Sequence, residues 1–204
     1  MLIRPERSRL KEVSGPFARA FLNYPLFVCY HPSQEWRERH FAQYCQMGLR
    51  YAFRNGDVRT TPDLKGTIIW FPPGKTHIHS LGYLEDPLFW YQAMLMGWKT
   101  LSRISTCEAC AARVHQEIVP GPHWYLWALA VDPDSQGKGV GNDLLAPGLE
   151  RADQQGLPVY LETHDFDNIA YYQRHGFEQI RSEQVPGLDL PFWCLLRPPA
   201  GKAP

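Results

Sequence analysis

The segment Gln136-Gly137-Lys138-Gly139-Val140-Gly141 places three glycines and a lysine within six residues. Glycine at that density lets a backbone come close to another group and take up conformations that side chains forbid. The segment follows an almost wholly apolar run, "HWYLWALAV" at 123–131. It precedes a stretch in which Val140, Leu144, Leu145, Leu149 and Ala152 recur at helical spacing. A strand, a glycine loop and a helix in that order form an anion-binding arrangement. The first N–H groups of the helix have no internal partner, and the helix dipole places partial positive charge there. The chemistry implied is recognition of a phosphate by backbone amides.

Two common phosphate loops are tested by spacing. A Walker A loop needs G-x-x-x-x-G-K-[ST], but Lys138 precedes Gly139 and no Ser or Thr follows. A dinucleotide fingerprint needs G-x-G-x-x-G, and counted from Gly137 its last place is Asn142. The spacing that fits is Gln136-x-x-Gly139-x-Gly141. About 30 residues later comes "NIAYYQRHGFEQI". Together these resemble the Q/R-x-x-G-x-G/A signature and the N-x-x-x-Y-x-x-x-G-F segment of the GNAT superfamily, the Gcn5-related N-acetyltransferases. The resemblance covers 124–180, and the order of the earlier elements is similar to a bacterial and fungal branch of that family.

The resemblance implies an α/β GNAT fold: a mixed, mostly antiparallel central sheet with a splayed parallel strand pair, flanked by helices. The pair corresponds to 124–131 and 159–164 here. It implies acetyl-CoA (coenzyme A) as co-substrate, and acetyl transfer to an amine by direct attack in a ternary complex. The other reading left open is a non-catalytic acyl-CoA-binding or sensor module. The amides of Gln136, Gly137, Lys138, Gly139, Val140 and Gly141 would form a nest around the coenzyme pyrophosphate, which side chains at 137, 139 and 141 would block. Lys138 adds a charge contact or is simply solvated. Leu129, Ala130 and Val131 would offer backbone groups to the pantetheine arm, and Asn168 either bonds that arm or caps its own helix.

Tyr172, four residues before Gly176, matches the family tyrosine that protonates the departing thiolate. Tyr171 should point about 100° away, to the core or the substrate side. Some relatives place a glutamate base on the strand before the loop, but "HWYLWALAV" has no carboxylate. Glu162, in "YLETH", is the first candidate for general base, and alternation sets it on the face opposite Leu161. His123, His164, Asp165 and a water chain to bulk are the others. The acceptor groove is expected among the N-terminal helices and the Trp90–Trp98 region, with Trp36, Trp90 and Trp127 as shaping aromatics.

The rest of the chain must position these residues. At 204 residues, one domain is expected over 1–197, with a disordered tail at 198–204. Lys+Arg and Asp+Glu both number 21, which gives no reason to expect nucleic acid or an anionic membrane as partner. The expected partner is a small-molecule or peptide amine, bound by a monomer or homodimer. No stretch approaches the ~18 apolar residues of a membrane span. Five cysteines, an odd number, and no signal-peptide pattern point to a reduced, cytoplasmic protein. Cys107 and Cys110 read as neighbours on one buried helix face rather than half a zinc site, and His77 and His79 lack a third ligand, so no metal is expected.

Along the chain, the first ten residues read as loose, and a short helix is followed by a turn at Pro25. Ser33 caps a helix whose buried face carries Trp36, His40, Phe41, Tyr44, Cys45 and Leu49. Asn55-Gly56-Asp57 signals a hairpin with "YAFR" and "DVRTT" as its strands. "KGTIIWFPPG" is a strand, and Tyr83–Glu117 is helical with a break near Gly97-Trp98. After the loop helix, kinked at Pro147 and ended by Gly156, come strand "VYLETH", a helix closed by Gly176, and a last strand pair around Pro186-Gly187.

Overall fold

The apolar runs assemble into one six-stranded sheet in the computed structural model, which describes residues 1–78 and 84–201. The strands are β1 (Asp57–Thr60), β2 (Gly66–Phe71), β3 (Trp124–Val131), β4 (Val159–Thr163), β5 (Glu178–Gln184) and β6 (Pro191–Arg197), in the order β1-β2-β3-β4-β6-β5. Every pairing is antiparallel except β3 with β4. The helices are α1 (Leu10–Phe21), α2 (Pro25–Tyr30), α3 (Gln34–Asn55), α4 (Pro87–Ile118), α5 (Val140–Gln155) and α6 (Asp167–Gln173).

Side chains alternate across the sheet, so each strand feeds two cores. Ile69, Phe71, Tyr125 and Tyr160 pack with Val13, Phe41, Leu49 and Val114 of α1, α3 and α4. Ile68, Trp70, Trp124 and Leu161 pack on the other side with Leu144, Leu145 and Leu149 of α5. All six residues of β2 are buried, which explains its unbroken "GTIIWF". The α5 stripe read from the sequence is the face that meets the sheet.

Several local signals hold. The Ser33 side chain accepts from the Trp36 N–H at the start of α3. Within α4 the helical path breaks at Gly97, where φ is 72°. Gly156 ends α5 in the left-handed region.

Other signals are overturned. The residues "YAFR" are the last turn of α3, because Leu49, Ala52 and Phe53 continue its buried face. Asn55-Gly56 is then a helix stop, with the Gly56 N–H bonded to the Ala52 carbonyl at 2.7 Å. The hairpin forms one strand later, between β1 and β2. The N-terminus is also not loose throughout: Ile3 and Thr60 exchange two backbone bonds of 2.9 Å, and Arg7–Arg9 form a 3₁₀ turn. Pro25 opens α2 rather than a turn, since its missing N–H is harmless in a first helical turn. Among the described residues, no helix is long and apolar enough to cross a membrane.

Candidate functional site

The parallel strands are in register only at Trp124↔Val159 and Tyr125↔Tyr160. Beyond that point β3 and β4 part, as the sequence reading expects, and backbone groups on their facing edges lose their ladder partners. A bulge on β3 accompanies the parting: Trp70 faces Leu126 while Ile69 faces Ala128, leaving Trp127 as the extra residue. The gap opens into a cavity of about 1440 Å³. That exceeds the range of roughly 300–1,000 Å³ usual for one small ligand and leaves room for two reactants. Leu129 and Val131 line it, but Ala130 faces the other way, into the core under the N-terminal helices.

The glycine loop forms one end of this cavity. Gln136 Nε2 donates to the Val131 carbonyl at 3.1 Å and fastens the loop to the end of β3. Gly137 and Gly139 have φ of 72° and 81°, and a Cβ on either would meet no atom within 4 Å. Their glycines therefore answer a backbone demand and leave the approach open. The N–H groups of Gly137, Lys138 and Gly139 make no hydrogen bond among the described residues. Gly139 is the N-cap of α5 without any side-chain cap, so the free amides and the helix dipole face one place.

Gly141 answers a different demand from the one expected of it. A Cβ there would lie 2.9 Å from the Tyr171 hydroxyl, so its small size accommodates Tyr171. Lys138 does not line the cavity, and its Nζ donates to the Asp134 carbonyl at 2.7 Å. The cationic side chain at this end is Arg174. Beside it lies His175, whose pKa is lowered by burial and by the charges of Arg174 and Arg197, and whose Nε2–H donates to Asn142 Oδ1 at 3.1 Å. Sequence reading passed over both. The available signal was an Arg-His pair inside the Tyr-to-Gly segment of the second motif.

Tyr172 and Asn168 project from α6 into the same cavity. Tyr172 packs edge-on against Phe177 and Tyr171, and burial pushes its phenol well above the usual tyrosine range. Its proton is therefore held throughout the neutral range. Its hydroxyl makes no hydrogen bond among the described residues. Asn168 does not cap α6: Phe166 is the N-cap, and Asn168 Nδ2 lies 3.4 Å from Thr163 Oγ1.

The four side chains considered as base separate clearly. Glu162 lines both the main cavity and an adjoining one of about 410 Å³. Its Oε1 accepts from the Tyr125 hydroxyl at 2.9 Å, while its buried Oε2 has no partner. Burial raises its carboxyl to about 8, a shift that the Tyr125 bond opposes and the charge of Glu108 reinforces. His123 has no nitrogen to spare. Its Nδ1 is 2.7 Å from the Gly121 carbonyl, which can only accept, so Nδ1 carries the proton. Its Nε2 then accepts from His115 Nε2–H at 2.7 Å. His164 reaches the cavity, but burial lowers it to about 4, a weak base for an ammonium. Asp165 accepts from the Asp167 N–H in a turn and is not part of the cavity wall.

Away from the loop the cavity wall is rich in aromatics, with Phe27, Tyr30, Tyr44 and Trp127 in it and the exposed Trp98 at its rim, while Phe21 and Tyr24 also line the cavity. Trp36 and Trp90 are elsewhere: Trp36 stacks on His31 at 3.7 Å, and the exposed Trp90 donates to the Leu84 carbonyl. Cys107 and Cys110 are buried thiols on one face of α4. His79 lies outside the described residues. Among the described residues, no three metal-ligating side chains gather.

The sheet thus opens between two parallel strands, with the free amides of the glycine loop at one end of the opening. Residues 88–177 match the acetyltransferase (GNAT) family model. An uncharacterised N-acetyltransferase of Schizosaccharomyces pombe is 23% identical over 191 residues, covering 85% of this chain and 72% of that protein. A mycothiol acetyltransferase of Streptomyces coelicolor is 40% identical over 55 residues, 26% of this chain but only 18% of the relative. Among solved structures, a Corynebacterium glutamicum protein described as histone acetyltransferase HPA2 and related acetyltransferase superposes with a TM-score of 0.71 at 21% identity, covering 100% of this chain and 98% of that one. The ribosomal-protein-S18-alanine N-acetyltransferase of Escherichia coli gives 0.54 at 12% identity, covering 100% and 96%. These structural likenesses speak for the fold, across the whole chain.

Proposed function

We propose that the protein is an acetyl-CoA-dependent N-acetyltransferase that acts on a small-molecule or peptide amine in a ternary complex. The observation that carries this reading is that the free amides of the glycine loop, Glu162 and Tyr172 all open into one cavity. The open edge of β3 at Leu129 and Val131 would hold the pantetheine amides, with Asn168 Nδ2 as a further donor. The amides of Gly137 to Gly141 would hold the pyrophosphate, with Arg174 as the nearby guanidinium. Bound acetyl-CoA supplies the thioester carbon that the neutral amine attacks directly.

Glu162 Oε2 takes the proton that an ammonium must lose before it can attack. Tyr172 gives its phenolic proton to the departing thiolate sulfur. The nitrogen of the tetrahedral intermediate releases its second proton to water in the cavity, which returns one proton to Tyr172 and carries one from Glu162 to bulk. The reading takes 1–197 as one domain, because the N-terminal helices and the loop line the same cavity. Its free thiols fit a reducing, cytoplasmic setting.

Thermal-shift titration tests the donor. Acetyl-CoA should raise the melting temperature, and ATP and NAD should not. Thiol release with an amine panel then tests catalysis, and a protein that binds acetyl-CoA but turns over no amine would be a sensor. The cradle makes its own prediction. Gly139→Ala forces a side chain into the left-handed region, at about 1–2 kcal/mol. The KM for acetyl-CoA should rise about tenfold while kcat with saturating donor stays near the parent value. An unchanged KM would remove the loop from coenzyme binding.

A further inference from the structure

The charges along the cavity are sorted by sign. At the loop end lie Arg174 and the free amides. At the aromatic end, the acidic side chains among the described lining residues are Glu162 and Glu108. Glu108, on α4, accepts from the Tyr30 hydroxyl at 3.1 Å. Neither carboxylate has an ion-pair partner among the described residues. Tyr30 is itself 1% exposed, so its hydroxyl fixes the Glu108 carboxylate from beneath. Glu108 stands exposed to the cavity rather than sealed within the core. Apolar and aromatic side chains make up much of the wall of this cavity, among them Phe27, Tyr44, Trp127, Ala111 and Ala112, with the hydroxyls of Ser102, Ser105 and Thr106 from the same helix as Glu108.

Resting on the proposed acetyl transfer, we infer that Glu108 is the acceptor-selecting residue, and that the acceptor is a primary ammonium on an aromatic or apolar body bearing no carboxylate. An unpaired carboxylate in such a wall attracts a cation, and aromatic faces add to that attraction. The Glu108 carboxylate repels an anionic group held close to the amine, so a free α-amino acid is disfavoured while its decarboxylated or amidated form is accepted. Glu108 binds the incoming cation, and Glu162 removes its proton.

The experiment compares phenethylamine, phenylalaninamide and phenylalanine by thiol release from acetyl-CoA, with the parent and with Glu108→Gln. Glutamine keeps an oxygen for the Tyr30 hydroxyl, so the fold should be retained, and melting temperature checks that. Phenethylamine and phenylalaninamide should be acetylated with kcat/KM at least tenfold above phenylalanine. Glu108→Gln should raise the KM for phenethylamine about tenfold, leave the KM for acetyl-CoA unchanged, and narrow the gap to phenylalanine. Equal use of phenylalanine, or an unchanged amine KM in Glu108→Gln, overturns the inference. If no amine is turned over, calorimetry of phenethylamine with the coenzyme-A-loaded protein decides: binding that weakens in Glu108→Gln sustains the acceptor site although catalysis fails, and no binding overturns it. Failure to bind acetyl-CoA at all would overturn the proposed function instead.

Discussion

Tyr172→Phe should lower kcat about a hundredfold, the low end of the range that a positioned general acid supplies. The KM for acetyl-CoA should change by less than about threefold, because the ring stays and only the proton donor is lost. The packing of Tyr172 on Phe177 and Tyr171 is carried by the ring, and no described hydrogen bond ends on its hydroxyl. A change in melting temperature is therefore not expected, which separates a chemical role from a structural one. Tyr171→Phe is the internal control. Its hydroxyl is buried without a partner, so removing it should leave kcat intact and the fold no weaker. Equal kcat in Tyr172→Phe and the parent would remove Tyr172 from the chemistry. Because burial holds the Tyr172 proton well above the usual range, the parent's pH profile should show no descending limb below about pH 10.

The readable parts of this site were those whose chemistry needs a fixed backbone. Gly137 and Gly139 sit at positive φ, and only a few residue types tolerate that, so the spacing of the loop survives as a sequence signal. The splay of β3 and β4 was implied by the family resemblance that this motif carries, and the two strands are in register at only two residue pairs. Gly141 was identified correctly as a small residue with a different reason behind it. Its neighbour Tyr171 is 30 positions away in the chain, and no local pattern announces such a contact.

Glu108 lies further beyond the reach of pattern. In "RISTCEACAARVHQE" it reads as one exposed charge on a helix, and its meaning depends on Tyr30, 78 residues earlier, lying beneath it. The misread hairpin has the same cause in reverse. Asn55-Gly56 is a good turn signal locally, but the buried face of α3 extends through Phe53, and tertiary packing decided the outcome. His123 was a reasonable base by residue type. The 2.7 Å contact with His115, which occupies its second nitrogen, joins α4 to the start of β3 and is invisible until the two meet.

Glu162→Gln should produce two effects of opposite sign, and together they test the base more sharply than lost activity alone. The first is on rate. With its carboxyl near 8, Glu162 is mostly protonated at pH 7, so the parent's kcat/KM should climb as pH rises through about 8 and then level. The glutamine variant should lose about a hundredfold at pH 9, and its profile should lack that rise. The second effect is on stability. The unfolded carboxyl titrates near its ordinary value of about 4.3, so between there and 8 the native state holds a proton that the unfolded state has released. Each pH unit in that window weakens the parent fold by up to about 1.4 kcal/mol relative to a group that does not titrate. Glutamine does not titrate, and its oxygen can still accept from Tyr125. The variant's urea midpoint should therefore move above the parent's as pH rises from 5 to 8, with the gap constant beyond about 9. A gap that does not depend on pH would mean that the buried carboxyl is not the titrating group, even if activity is lost. A variant that keeps both the parent's rate and its ascending limb would pass the proton to the water chain. The loss of activity and the gain of stability have one source: Oε2 is buried at the edge of the cavity with no partner among the described residues, which weakens the fold and makes the carboxylate a stronger base.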